Sequence, residues 1–329
     1  MRFTHVGVAA LAVAALALTG CSSGGATDDA SSDDSASSAA FPVTVTTEFG
    51  DVTIEKKPVR IVALGWGDAE TALALGVQPV GASDWLGFGG EGVGPWAEGL
   101  YDTAPEIIET LEPSYEAIAA LKPDLILDTK GSGDQDRYDK LSSIATTVGV
   151  AEGKSSYLTT MDEQMNLISS ALGLKSKGDD LLADVDATYE AAAAAHPEWK
   201  GLTVAAATKT SEGWGAYVEG SERVTFLERL GFVQSPTVAA LPTNSGGFSV
   251  DISSEQLDVL DSDLIVAFPI FIPTTDLTDD PLWAAIPAVA DGRSVVIDGD
   301  ISAAYSLGTT LAAKFSIENL VPKIADALG

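Results

Sequence analysis

The sequence predicts an α/β protein with two lobes joined by one long helix. Short runs of aliphatic and β-branched residues alternate with helical patterns, which is the order of elements in a parallel sheet. This alternation covers about 290 residues, enough for two hydrophobic cores. A helix-favouring segment almost free of glycine and proline divides it near the middle.

The first residues have the pattern of a secretory signal. Arg2 precedes thirteen uncharged residues, Val6 to Leu18, and small residues lead from there to Cys21, the only cysteine. The uncharged run is shorter than the roughly 20 residues of a membrane span. An ordinary buried cysteine is the alternative, but the arrangement resembles that of bacterial lipoproteins. We expect residues 1–20 to be a lipoprotein signal peptide and Cys21 to be lipidated.

A low-complexity segment follows the cysteine. Residues 22–40 are only Ser, Gly, Ala, Thr and Asp, and none of these side chains is large enough to build a core. We therefore expect residues 21–40 to be a flexible tether. A tethered lipoprotein is anchored to the cell membrane and works on its extracytoplasmic side.

Residues 41–175 form the predicted N-terminal lobe. Strand patterns occur at 59–64, 79–82 and 124–128, and an apolar stripe at 69–75 predicts a helix between the first two. Such a succession of strands and crossover helices favours a parallel sheet.

The predicted connecting segment is 176–198. From Lys177 to His196 it is rich in Ala, Leu, Asp and Glu and has no glycine or proline after Gly178, and about 20 helical residues extend about 30 Å. Residues 199–329 form the predicted C-terminal lobe, with strands at 202–207, 263–267 and 294–298. A final helical pattern from Thr309 to Leu328 is expected to pack back across the body, with a kink at Pro322.

One weak duplication supports the division into two lobes. The segment 115–127 matches 254–266 in pattern. In each, a helical glutamate, Glu116 or Glu255, comes eight residues before an aspartate, Asp124 or Asp263, that opens a buried strand. Convergent repetition of α/β units is the alternative explanation.

Charge excludes one class of partner. The formal net charge is −30, and removal of residues 1–20 with Arg2 makes it −31. So acidic a body repels phosphates, and we expect no nucleic-acid binding. We expect a monomer.

Catalytic motifs are missing. The segment Gly65 to Glu70 half-resembles a dinucleotide fingerprint, but an acid replaces its third glycine and would repel a pyrophosphate. No Gly-x-Ser-x-Gly motif occurs, and the mature chain has one histidine, His196. We therefore predict no enzyme activity, no catalytic residues, no cofactor and no metal held by protein ligands.

Aromatic residues follow the predicted strands, where ligand-contacting loops lie in this kind of sheet. Large amphipathic rings suit a bulky amphipathic ligand, although each could instead cap the core of its lobe. The predicted ligand-binding residues are Trp66, Trp85, Trp214, Tyr217, Phe271 and Tyr305. Candidate cations nearby are few, namely Lys130, Lys209 and Arg223, which favours a neutral or mildly charged ligand.

Several segments, taken in order, resemble one family. They are Pro58 to Leu64, Glu70 to Gly81, Tyr115 to Leu127, Ile252 to Leu257, Pro281 to Pro287 and Val295 to Asp298. Together they are similar to the substrate-binding lipoproteins of ABC importers for iron-siderophores and vitamin B12. This resemblance implies a class III periplasmic binding protein: two Rossmann-like lobes, one connecting helix and a ligand in the cleft between the lobes.

The resemblance also implies a partner. In this family one acidic residue per lobe meets arginines of the permease, and the matching positions here are Glu70 and Glu228. The expected function is capture of an Fe(III)-siderophore and its delivery to an ABC permease with its ATPase. Alternatives are binding of haem, with Tyr217 or Tyr305 as iron ligand, binding of a corrinoid, or a surface lipoprotein without a transport role.

Overall fold

The computed structural model describes residues 41–155 and 157–329, so the predicted signal peptide, Cys21 and the tether lie outside the described residues. The described residues form two α/β lobes connected by a long helix, and the predicted fold class is confirmed.

The N-terminal lobe contains a hairpin and a parallel sheet. Its strands are β1 Val43–Thr47, β2 Gly50–Ile54, β3 Ile61–Ala63, β4 Gly81–Ser83, β5 Glu106–Ile108, β6 Leu125–Leu127 and β7 Thr147–Val148. Strands β1 and β2 pair antiparallel, and the other five form a sheet in the order β5-β4-β3-β6-β7. The sheet is parallel throughout, and the central strands β3 and β6 are buried along their whole length because helices cover both faces.

Four α-helices and one 3₁₀ turn complete this lobe. They are α1 Asp68–Ala74, α2 Tyr115–Ala120, α3 Gln135–Ser142, α4 Met161–Ala171 and the turn Pro95–Ala97. The sequence explains where α2, α3 and α4 begin. The side chains of their N-cap residues Ser114, Asp134 and Thr160 each accept a hydrogen bond from a backbone N–H of the first turn.

The connecting helix is α5, Lys175–Ala195, followed by a 3₁₀ turn at Pro197–Trp199. With 21 residues it extends about 30 Å. Its Val185 and Tyr189 are buried in the core of the C-terminal lobe. An ion pair between Asp186 and Arg229 also holds the helix to that lobe.

The C-terminal lobe has a mixed sheet. Its strands are β8 Thr203–Thr210, β9 Gly213–Tyr217, β10 Val233–Gln234, β11 Ser249–Ile252, β12 Leu264–Pro269 and β13 Ser294–Val296. The order is β11-β9-β8-β12-β13, with β10 beside the start of β8. Strands β8, β12 and β13 run parallel, whereas β9 follows β8 as a hairpin and pairs antiparallel with β8 and β11.

The helices of this lobe are α6 Glu222–Arg229, α7 Pro236–Ala239, α8 Thr274–Thr278, α9 Pro281–Ala284, α10 Pro287–Ala290, α11 Gly299–Leu307 and α12 Thr310–Leu328, with a 3₁₀ segment at Ser254–Leu260. Helix α12 contacts both lobes. Its first half packs near Trp66 and Trp96 of the N-terminal lobe, and its Leu320 and Ile324 are buried in the C-terminal core.

The duplicated segments occupy equivalent places in the two lobes. Asp124 precedes β6 and accepts hydrogen bonds from the backbone N–H groups of Val59 and Arg60, just before β3. Asp263 precedes β12 and accepts one from the backbone N–H of Thr203 at the start of β8. In each lobe, therefore, an aspartate ties together the first residues of two neighbouring parallel strands.

Candidate functional site

A cavity of about 470 Å³ lies between the two lobes. Strand ends position much of its lining, as expected for ligand sites in parallel sheets. On the N-terminal side Trp66 follows β3, Trp85 follows β4 and Lys130 follows β6. On the C-terminal side Tyr217 ends β9 and Phe271 follows β12. The volume is in the range of small-molecule sites.

The N-terminal wall is a fixed aromatic surface. The ring centroids of Trp66 and Trp85 are 5.6 Å apart, and those of Trp85 and Tyr157 are 5.5 Å apart. The indole N–H of Trp85 donates to the carbonyl oxygen of Leu64 at 2.8 Å, and that of Trp66 donates to the carbonyl oxygen of Ser306 at 3.2 Å. Because the polar edges are bonded within the protein, the rings offer mainly their apolar surface to a ligand.

The hydrogen bond between Trp66 and Ser306 also joins the two lobes. Ser306 belongs to α11 of the C-terminal lobe and lines the same cavity. The orientation of the Trp66 ring is therefore set by the opposite side of the cleft.

Arg223 is held between aromatic rings on the C-terminal side. Its guanidinium carbon lies 4.6 Å from the ring centroid of Tyr217 and 5.2 Å from that of Trp66, distances at which a cation is attracted to the π face. The backbone oxygen of Arg223 accepts a 2.7 Å hydrogen bond from the hydroxyl of Tyr305. Backbone and side chain are thus both restrained.

An ion pair crosses the cleft. Nζ of Lys130, in the N-terminal lobe, lies 3.4 Å from Oε2 of Glu222, in α6 of the C-terminal lobe, and the side chains are only 4% and 7% exposed. Burial lowers the pKa of Lys130, and the charge of Glu222 opposes that shift. The pair supplies each buried charge with a partner.

The sequence and the fold are similar to those of known proteins. The sequence profile described as "periplasmic binding protein" matches residues 61–301. The chain belongs to the periplasmic binding protein family. A probable siderophore-binding lipoprotein, YfiY of Bacillus subtilis, is 30% identical over 261 residues, covering 74% of this chain and 76% of the relative.

Two solved structures of binding proteins are similar along most of the chain. A periplasmic solute binding protein from Mycobacterium smegmatis has 28% identity and a TM-score of 0.75, covering 88% of this chain and 99% of the other. PiaA of Streptococcus pneumoniae in complex with ferrichrome has 27% identity and a TM-score of 0.74, covering 87% and 98%.

Four of the six predicted ligand-binding residues of this binding protein line the cavity, namely Trp66, Trp85, Tyr217 and Phe271. Their contact with a ligand stays a prediction. Phe271 stands out because its ring is 94% exposed and its backbone has a φ of 55°, in the left-handed region.

Trp214 does not line the cavity, so the structure does not place it with the other predicted ligand-binding residues. It lies in β9, where successive side chains point to opposite faces of the sheet, so Trp214 and Tyr217 belong to different cores. Its ring stacks on Trp283 at 5.3 Å, and its N–H donates to Asp280 at 3.2 Å.

Tyr305 does not line the cavity either. It is 1% exposed and lies in α11, on the side that faces the C-terminal core. Ser302 and Ser306 of the same helix line the cavity instead. Burial raises the pKa of Tyr305 well above its ordinary value, and its hydroxyl donates to the backbone oxygen of Arg223, so the residue supports the C-terminal wall of the cavity from within the core.

Glu70, for which the resemblance implies a docking role, is buried. The side chain is 2% exposed. It accepts hydrogen bonds from Trp96 Nε1 at 2.8 Å, the Thr309 hydroxyl at 2.7 Å and the Gly94 N–H at 3.2 Å. A carboxylate so enclosed has no surface to offer an arginine of another protein. Burial raises its pKa to about 6, although the hydrogen bonds oppose the shift.

Glu228 lies on α6 and is half-buried. Its partial burial, with the nearby charge of Glu219, raises its pKa. A docking role for Glu228 stays a prediction.

Lys209 is not free to meet a ligand. Its ammonium lies 2.6 Å from Asp280 and donates to the carbonyl oxygen of Asp276 at 2.7 Å.

The cavity also includes residues that the sequence did not predict. Glu222 and Tyr157 belong to no recognisable motif. Tyr157 lies in a loop and has a backbone φ of 64°, which no local sequence pattern predicts.

None of the helices in 41–155 and 157–329 is long and apolar enough to cross a membrane. The same residues contain no group of three or more His, Cys, Asp or Glu side chains arranged to hold a metal ion.

Proposed function

We propose that this protein captures a ferric siderophore in the cavity between its lobes and delivers it to an ABC permease. The observation that carries the proposal is the cavity of about 470 Å³ with aromatic walls contributed by both lobes. A ferric siderophore surrounds its iron with its own oxygen atoms, so it offers the protein a bulky, amphipathic surface and needs no protein ligand to the metal. Flat indole and phenol rings suit such a surface.

The relatives support the same cargo. A curated relative is named as a probable siderophore-binding lipoprotein, and a similar structure holds ferrichrome. Similarity of sequence and fold therefore supports the same cargo for this chain.

Tryptophan fluorescence tests the proposal. Titration with ferric siderophores is expected to quench emission, because Trp66 and Trp85 lie in the cavity wall. Trp66→Phe and Trp85→Phe should each remove part of the quenching. Trp214→Phe is the matched control, since that indole is buried away from the cavity. Quenching by haem or cobalamin, with none by ferric siderophores, would contradict the proposal and indicate a different cargo.

We also infer that exposed acids of both lobes meet the permease. Glu70 is unavailable, but Glu116 at the start of α2 and Glu255 at the start of the equivalent 3₁₀ segment are exposed. They occupy matching positions of the duplicated unit, so a pair of basic patches on the permease could contact one on each lobe. Glu228 remains a further candidate on the C-terminal lobe.

For the segment outside the described residues we propose lipid anchoring through Cys21 and a tether over residues 21–40. The anchor would keep the receptor close to its permease and raise its effective concentration there. Retention of a Cys21→Ser variant in the membrane fraction would contradict this anchor.

A further inference from the structure

One ion pair joins the two lobes directly. Lys130 follows β6 of the N-terminal lobe, and Glu222 begins α6 of the C-terminal lobe. Each other ion pair of residues 41–155 and 157–329 lies within one lobe or involves α5 or the turn after it. Within these residues, charge–charge contact between the lobes therefore depends on this pair.

Both charges are enclosed while the lobes are together. The side chains are 4% and 7% exposed, and Nζ of Lys130 lies 3.4 Å from Oε2 of Glu222. The carbonyl oxygen of Lys130 accepts the backbone N–H of Trp66 at 3.0 Å, which holds the Lys130 backbone beside the end of β3. The side chain of Glu222 packs so closely on Gly308 that a Cβ atom there would overlap it. The charges therefore stay largely out of water unless the lobes separate.

Other charges do not replace either partner. Arg223 and Asp68 are the further charged groups that act on Lys130, and their effects have opposite sign. Loss of Glu222 alone would therefore leave Lys130 buried without net compensation, which is strongly unfavourable. Among the ion pairs of the described residues, Glu222 likewise has Lys130 as its only partner. Separation of the lobes would let water solvate a remaining single charge and remove that penalty.

We propose that Lys130 and Glu222 are positioning residues for ligand binding. Because each compensates the other, the lobes stay together in the free protein, and the cavity is formed before a ligand arrives. Trp66 and Tyr217 line the cavity from opposite lobes, so the distance between the aromatic walls depends on lobe separation. With a preformed site, none of the binding free energy is used to close the lobes. The proposal rests on the proposed function for the class of ligand.

Distances between spin labels in the ligand-free protein test this role. Cys21 is the only cysteine of the chain, so a Cys21→Ser background carries no competing thiol. Glu116→Cys and Glu255→Cys place one label on each lobe, at exposed positions of the duplicated unit. Pulsed electron paramagnetic resonance then measures the distribution of distances between the lobes. With the ion pair intact, this distribution should be single and narrow.

Substitution of the ion pair should change that distribution in a set order. Lys130→Met and Glu222→Met each leave one buried charge alone, and both should give longer and broader distances. The double variant has no charge to solvate and should return towards the wild-type distribution, since apolar residues of similar volume can replace a buried ion pair. Lys154→Met is the matched control. It removes the same charge from a 3.4 Å ion pair with Glu163 inside the N-terminal lobe and should leave the distances unchanged.

Ligand affinity should follow the same order. When only a fraction of the molecules has a formed site, the apparent affinity falls by that fraction, so each single variant should bind ferrichrome at least about tenfold more weakly than the wild type. The double variant should regain most of the affinity. Ferrichrome is a suitable probe because the similar PiaA structure holds it. Circular dichroism and urea denaturation check that each variant is folded.

A purely structural ion pair would contribute to stability without holding the lobes. Wild-type distances or wild-type affinity in both single variants would therefore overturn the proposal, and so would a double variant as open as the single ones. Failure of the wild type to bind ferrichrome and other ferric siderophores would instead overturn the proposed function, while the distances in the free protein would still test the ion pair.

Discussion

The hydroxyl of Thr309 donates a 2.7 Å hydrogen bond to the carboxylate of Glu70, 239 residues earlier in the chain. The same hydroxyl oxygen accepts the backbone N–H of Ala312 and so caps α12. Trp96 and Gly94 donate to the same carboxylate. Glu70 thereby joins α1, the 94–96 turn and the first turn of α12, the helix that contacts both lobes.

This relationship predicts that Glu70 contributes to stability. Glu70→Ala leaves buried donors of Trp96, Gly94 and Thr309 without their acceptor, and we expect a loss of about 2–4 kcal/mol in the free energy of unfolding. Urea denaturation measures it. Glu116→Ala, at an exposed position, is the control and should change stability by less than about 0.5 kcal/mol. Equal midpoints for the two variants would show that the contacts of Glu70 are not important for folding.

The stability contributed by Glu70 should depend on pH. Burial raises its pKa from 4.5 to about 6, so the folded protein binds the proton more tightly than the unfolded chain does. This contribution is present at low pH and is lost as the pH rises from about 4.5 through about 6. Relative to Glu70→Gln, which does not titrate, the wild type should lose about 2 kcal/mol across that range and then stay level. A difference that is constant, or that grows with pH, would contradict the raised pKa.

Gly308 is required at the turn between α11 and α12. Its φ is 63°, and a Cβ atom there would overlap the side chain of Glu222. Gly308→Ala should therefore cost more than about 2 kcal/mol and disturb the contact of Glu222 with Lys130. Gly292→Ala is the matched control, with a φ of 79° and no atom within 4 Å of the added Cβ, and should cost about 1 kcal/mol for the backbone alone. Thermal unfolding compares them, and equal losses would refute the packing argument.

Permease docking should depend on exposed acids. Glu116→Arg and Glu255→Arg are each expected to reduce uptake of the ferric siderophore at least about tenfold, because each loses one ion pair with the permease and adds one repulsion. The affinity for the ligand should be unchanged. Glu228→Arg tests the remaining acid suggested by the family resemblance. Glu190→Arg, at an exposed position on α5, controls for the change in net charge. Normal uptake by both Glu116→Arg and Glu255→Arg would rule out this pair.

Phe271 should act on ligand binding without affecting folding. The ring is almost fully exposed at the cavity, so covering it with a ligand buries apolar area that water now contacts. Phe271→Ala should weaken affinity about tenfold to a hundredfold and leave the unfolding midpoint unchanged. Val59→Ala removes a 73% exposed side chain outside the cavity and should alter neither quantity. A loss of stability in Phe271→Ala would mean that the ring packs in the free protein.

Local patterns predicted the helices that define the architecture. The helical pattern from Lys177 to His196 corresponds to α5 at Lys175–Ala195, and the pattern from Thr309 to Leu328 corresponds to α12 at Thr310–Leu328. Helix propensity and apolar periodicity depend on residues a few positions apart, which a sequence displays directly. The same holds for Trp66 and Trp85, which follow buried strands.

Side-chain direction and contacts between distant segments could not be predicted from local patterns. Trp214 and Tyr217 are close in sequence, but the hairpin of β8 and β9 places them on opposite faces of a sheet. The sequence predicted a loop there, and a loop does not determine which ring faces the cleft.

The sequence by itself determined the class of the protein: its alternating strands and helices, its single connecting helix and the aromatic residues at strand ends, because each is a pattern among near neighbours. Only the tertiary structure decided which charges are buried and paired. Glu70 meets Thr309, and Lys130 meets Glu222 92 residues away, because folding brings distant segments together. The environment of Glu70 depends on these distant segments. Its place at the start of a helical pattern therefore did not show whether the carboxylate faces a partner or the interior of the protein.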